Sequence, residues 1–155
     1  MRIHAGSLMF GVLCLCGLLQ LSIVGAKESW RSPLVPPSDI DEARSLHNPY
    51  PMSKETLEAG KKIYEGKAYC AACHGKDGRG FGKTMNPASA DYPLPRDFTN
   101  GTWQESRTDG ELFWVLMHGS HGTDMSSFFP LYLSEMETWQ VVAYIRTFWE
   151  KGRKL

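Results

Sequence analysis

The sequence has little cysteine and no excess of charge. Four of its 155 residues are cysteine, and Cys14 and Cys16 fall within a leading apolar run, so that only Cys70 and Cys73 lie beyond it. One pair of thiols cannot build a disulfide framework, and a structural zinc site wants two more ligands. Basic and acidic residues balance at 17 each, so the chain lacks the basic field of a nucleic-acid-binding surface. No segment shows convincing strand alternation, and no internal repeat is present. The glycines of residues 75–82 are not a phosphate loop, because no strand precedes them and no Gly-Lys-Ser/Thr follows in register.

What is present begins with Cys70-Ala71-Ala72-Cys73-His74. Two thiols three positions apart reach the two vinyl groups of one macrocycle, and the following imidazole then sits under the iron. This is the spacing of covalent c-type haem attachment, with His74 as an axial ligand. Read alone, the same pair also fits a redox dithiol or half a zinc site.

The N-terminus supports haem. Arg2 precedes the apolar residues 8–19, no acid occurs before Glu28, and Val24-Gly25-Ala26 offers small residues for a signal peptidase. The expectation is an export signal, residues 1–26, cut after Ala26; an uncleaved anchor is the alternative. Cys14 and Cys16 follow leucines rather than the small residue a lipoprotein site needs, and they leave with the signal. Covalent haem attachment takes place outside the cytoplasm, so a periplasmic or equivalent extracytoplasmic location is expected.

Residues 27–52 read as a Pro-rich extension. Ser32-Pro33-Leu34-Val35-Pro36-Pro37 should be extended, Ser38 is placed to cap a short helix through Leu46, and Asn48-Pro49-Tyr50-Pro51 stops it. A haem domain then occupies residues 53–155. Ser53 caps a predicted helix over 54–65, with Leu57, Gly60 or Lys61, and Tyr64 on one face. Gly60 is costly there, which suggests either a close helix crossing or a tolerated glycine. Residues 75–101 hold several glycines and prolines and read as irregular loop around the haem. Thr108 and Glu111 have capping-box spacing, and the apolar residues up to His118 end at Gly119. Ser134 and Glu137 form a second capping box, opening a helix to about residue 150.

A sixth iron ligand is sought next. Met125 lies in the small-residue loop Gly122-Thr123-Asp124-Met125-Ser126-Ser127, which gives the chain ample length to return on the face opposite His74. Met117 and Met136 fall in helical patterns, and Met52 and Met85 lack supporting context. His118 and His121 are the competitors, being close to Met125 in sequence.

The chain resembles class I c-type cytochromes of the bacterial single-haem kind over about residues 40–150. The marks are Gly60-Lys61-Lys62-Ile63-Tyr64, Cys70 to His74, Pro95-Arg96-Asp97-Phe98-Thr99, Asp109-Gly110-Glu111-Leu112-Phe113-Trp114, Gly122-Thr123-Asp124-Met125 and Val141-Val142-Ala143-Tyr144-Ile145-Arg146. The resemblance implies an all-α fold in which N- and C-terminal helices cross and loops wrap one covalently bound haem c. It places Gly60 and Tyr64 against Val141 and Tyr144. The family usually has proline after the methionine, where this chain has Ser126.

Histidine and thioether ligation favours ferrous iron and suits outer-sphere electron transfer, so no acid, base or nucleophile is required. The expected function is single-electron transfer between respiratory redox partners, not catalysis. The alternative is a permanently bound haem c subunit of a larger oxidoreductase, with the Pro-rich leader or Trp30, Trp103 and Trp149 contributing to the contact. Lys61, Lys62, Lys67, Lys76, Arg79 and Lys83 face only Glu65 and Asp77 around the motif. They make either ordinary solvated surface or a basic rim that steers an acidic partner.

Overall fold

The computed structural model describes residues 35–80 and 94–153, with side chains described through residue 149. The expected export signal, most of the extended leader, Trp30, Lys83 and Met85 lie outside the described residues. Within them the fold is all helix and loop, with no strand.

Six α-helices are present among the described residues: α1 (Ile40–Ser45), α2 (Lys54–Lys62), α3 (Cys70–His74), α4 (Gly101–Glu105), α5 (Asp109–His118) and α6 (Glu135–Arg153). Their starts follow from local side-chain chemistry. Ser53 Oγ accepts the Thr56 N–H at 3.2 Å to open α2, and the Thr108–Glu111 capping box opens α5. At α6, Ser134 N–H donates to Glu137 Oε2 at 2.9 Å while Glu137 N–H donates to Ser134 Oγ at 3.3 Å. Gly119, at φ +78°, ends α5.

Three local features depart from the sequence expectation. α1 is preceded by Asp39 rather than capped by Ser38, and Asp39 makes no side-chain cap bond. Its backbone is already right-handed there (φ −109°, ψ −2°), not in the extended region from which a capping side chain ordinarily reaches the first-turn N–H groups. α2 gives way after Lys62 to a π-helical turn, Ile63–Lys67, where Ala68 N–H reaches back to Ile63 O at 3.0 Å. α4 occupies the end of the stretch expected to be loop and the residues just after it; Asn100 Oδ1 caps it by accepting the Trp103 N–H at 3.0 Å.

The main core lies where α2 and α6 cross. Tyr64, Val141 and Val142 are fully buried, and the Tyr64 ring meets Tyr144 at 5.3 Å and Phe148 at 5.4 Å. A Cβ at Gly60 would overlap the Gln140 carbonyl and touch Tyr144 Cβ, so close approach is the reason for this glycine. The crossing expected at Val141 and Tyr144 is present, with its tightest point one residue earlier, at Gln140.

A polar spine ties the remaining helices together. Gln104, 2% exposed, donates to Phe98 O at 2.8 Å and Ile145 O at 3.1 Å. From α6, Arg146 donates to Gln104 Oε1 at 2.7 Å and to Asp109 Oδ1 at 2.6 Å. These bonds satisfy groups whose burial would otherwise be costly and set α4 and the start of α5 against α6. A second, smaller core joins Val35, Ala43 and Trp114, so the described part of the Pro-rich extension packs on α5.

Candidate functional site

The short α3 carries the motif. Tyr69 precedes it in the left-handed region (φ 50°), an uncommon conformation for a residue with a side chain. This reversal starts a new helix directly after the π-turn, with Cys70 buried and Cys73 exposed. Burial pushes the Cys70 thiol up to about 11.

His74 is held from three sides. Its Nδ1 lies 3.1 Å from Arg96 O, its ring stacks on Phe98 at 4.4 Å, and its own carbonyl accepts the Gly80 N–H at 2.8 Å. Burial lowers its proton affinity below the ordinary imidazole value, so the ring is neutral. Nδ1–H donates to the carbonyl, which leaves Nε2 as the available lone pair. Tyr64 Oη anchors the turn after the motif by donating to Gly75 O at 2.9 Å.

The Met125 loop is closed by its own backbone. Ser120 N–H donates to Met125 O at 2.8 Å, Met125 N–H to Thr123 Oγ1 at 3.1 Å, and Thr123 Oγ1–H to Ser120 O at 2.7 Å. Gly119 lies beneath it, where a Cβ would come within 2.8 Å of Met125 O. These bonds constrain the loop although Ser126 replaces the usual proline.

Cys70, Cys73, His74 and Met125 all line one cavity of about 460 Å³. Leu112, Leu116, Phe128 and Ile145 give it apolar walls. The volume lies within the roughly 300–1,000 Å³ of ordinary cofactor sites. Among the described residues, two buried polar atoms of the lining, Arg96 Nε and Ser120 Oγ, have no hydrogen-bond partner. Apolar walls, two thiols, a neutral imidazole, a thioether and unmet donors fit a haem bearing vinyl groups and carboxylates.

The other candidates lie elsewhere. His118 is exposed and stacks on Trp114 at 4.3 Å, His121 is exposed, and neither lines the cavity. Met52 and Met136 are exposed, and Met117 packs against the core. Trp103, expected at a partner contact, is 6% exposed and lines the cavity, so its ring is not available at the surface. The basic segment is partly neutralised: Lys61 pairs with Glu65 at 3.9 Å, Arg79 with Asp77 at 3.8 Å, and Lys67 with Glu137 at 2.6 Å. Sequence reading assigned no role to Arg96, Phe98 or Ser120. For Arg96 the available signal was a lone cation beside Pro95 in a segment poor in basic residues.

No helix among the described residues is long and apolar enough to cross a membrane. No curated protein matches the chain. Among solved structures, a chain of the reducing HAO-like protein complex of Kuenenia stuttgartiensis is similar, with a TM-score of 0.53 and 32% identity over 64% of this chain. The similarity spans 46% of that chain, less than half its length. The family model for cytochrome c matches residues 57–149, which include the haem motif, the Met125 loop and most of both crossing helices. With more than half of its length matched, the chain belongs to the cytochrome c family and is an electron-transfer protein carrying covalently bound haem c.

Proposed function

We propose that this protein is an exported cytochrome with a single haem that passes single electrons between redox partners outside the cytoplasm. The observation that carries the reading is the convergence of Cys70, Cys73, His74 and Met125 on one apolar cavity. In this reading Cys70 and Cys73 hold the haem through thioethers, and His74 and Met125 are its axial ligands. The bound haem supplies the one-electron couple, and the soft thioether favours the reduced state. The chain's own work is to keep geometry constant while charge changes. Arg96 O and Phe98 fix the His74 ring, the Ser120–Met125 turn fixes the thioether, and the apolar walls exclude water.

A second reading makes the same domain a dedicated subunit of a larger oxidoreductase. It is supported by the likeness to a chain whose own description places it in a protein complex.

The test uses the full chain produced in an exporting host. The pyridine haemochrome should report two saturated vinyl positions, and carbon monoxide should leave the ferrous spectrum unchanged. Met125→Ala should become high-spin, bind carbon monoxide and fall in potential. An unchanged low-spin spectrum and potential in that variant would remove Met125 as the ligand.

A further inference from the structure

Six consecutive apolar residues, Leu112 to Met117, run round every side of α5, so one core can bury only part of this helix. Phe113 stacks on Trp139 of α6 at 4.0 Å, while Leu112 and Leu116 line the cavity. Trp114 packs instead in the second core with Val35 and Ala43, where it is 7% exposed. Two residues belong to both places. Val35 and Val115 take part in that second core and also line the cavity, so the second core is continuous with the cavity wall.

The segment that supplies this cover precedes residue 57, where the family match begins. It is held at three points. α1 rests so closely on α5 that a Cβ at Gly110 would overlap the Ala43 carbonyl and come within 2.6 Å of Leu46 O. Arg44 Nε and Nη2 each lie 3.4 Å from Oε1 of Glu111, a carboxylate 2% exposed on α5. Farther along, Asn48 Nδ2 donates to Trp139 O of α6 at 3.3 Å. Where this segment crosses, the lining residues Val35, Glu111 and Leu112 are buried. At the haem motif and the Met125 loop, the lining residues Tyr69, Cys73, Asp124 and Ser126 are exposed. The cavity is therefore closed on the α1 side and open on the other.

Resting on the haem reading above, we propose that residues 35–46 are a strap that seals the α5 side of the haem cavity, and that the seating of α1 on α5 governs how far water reaches the haem and so sets its potential. Ferric haem carries one more positive charge than ferrous haem, and water solvates that charge better than an apolar wall does. A seated strap favours the reduced state; a lifted strap favours the oxidised one.

The experiment combines hydrogen exchange with redox titration of the full-length holo-protein. Ala43→Glu places a carboxylate in a fully buried contact of the strap and changes nothing within residues 57–149. Gly110→Ala obstructs the same contact from the α5 side. Both variants should exchange faster over residues 35–46 and have a lower midpoint potential, while the low-spin spectrum is kept. Val35→Ser, which leaves the α1–α5 contact in place, should lower the midpoint by a smaller amount without faster exchange over residues 40–46. Faster exchange with an unchanged midpoint overturns the proposal, as does unchanged exchange in both seating variants. A fall in midpoint that comes with loss of the low-spin spectrum traces the effect to Met125 ligation and overturns it too. Should neither seating variant yield folded protein, an unchanged midpoint in Val35→Ser overturns it. The pyridine haemochrome of each variant reports separately on covalent attachment, so a failure of the haem reading is distinguishable from a failure of this one.

Discussion

Glycine inside a helix costs about 1 kcal/mol relative to alanine, so a helical glycine that persists calls for a packing reason. At Gly60 the reason is the Gln140 carbonyl, which occupies the space a Cβ would need. Two effects of Gly60→Ala oppose each other: better helix propensity and a forced separation of the two crossing helices. The obstacle is backbone within a buried crossing, and it cannot rotate away as a side-chain tip could. The overlap therefore wins, and Gly60→Ala should destabilise by about 2 kcal/mol. Thermal unfolding of the holo-protein checks this; an equal or higher midpoint would mean that the helices cross more loosely than described. At the same scale Tyr69 holds an unfavourable left-handed backbone so that α3 can start at Cys70.

Among the elements, the π-turn and the start of α6 are joined by Lys67 and Glu137 at 2.6 Å. Hydrogen bonds from Lys67, then from Ser134, hold the Glu137 carboxyl below its ordinary value. A lowered folded-state value means that this stabilisation is complete above the ordinary carboxylate range and disappears as pH falls through the folded value. Glu137→Gln keeps a side chain able to serve the capping box but removes the charge. The variant should therefore unfold at a lower temperature than the parent at about pH 7 and at the same temperature at about pH 2. A gap that persists in acid would trace the effect to capping geometry instead. The pair is exposed, so the gap should also shrink in high salt.

At the scale of the whole molecule, the two functional readings differ in what surrounds the domain. The described surface carries mixed charges, with Lys61, Lys67 and Arg79 each beside an acid, so a basic rim around the haem motif is weaker than composition suggests. Leu131, Tyr132, Tyr69 and Met136 are exposed, which offers apolar area for a partner. Native electrophoresis of a gentle extract from the protein's own cells, stained for haem, should show the cytochrome at the mass of a monomer if it is a free carrier. Migration in a large assembly would establish the subunit reading, and the co-migrating proteins would identify the chemistry served.

The haem motif, the all-α class and most helix starts were legible in the sequence because they depend on neighbours within about one helical turn: Cys70 to His74, Ser53 with Thr56, Thr108 with Glu111, Ser134 with Glu137. The five-residue α4 was missed because so short a helix leaves no periodic signature, although its cap Asn100 was visible. Choosing Met125 from sequence rested on loop composition; the cavity that it lines together with His74 is assembled by the tertiary fold. Tertiary structure also turned Trp103 inward, placed Gln104 beneath α6, and brought Val35 onto the cavity whose motif begins at Cys70. The division has a physical cause. Covalent attachment and capping are governed by local spacing, whereas burial and charge pairing depend on which distant residues share a volume once the helices cross.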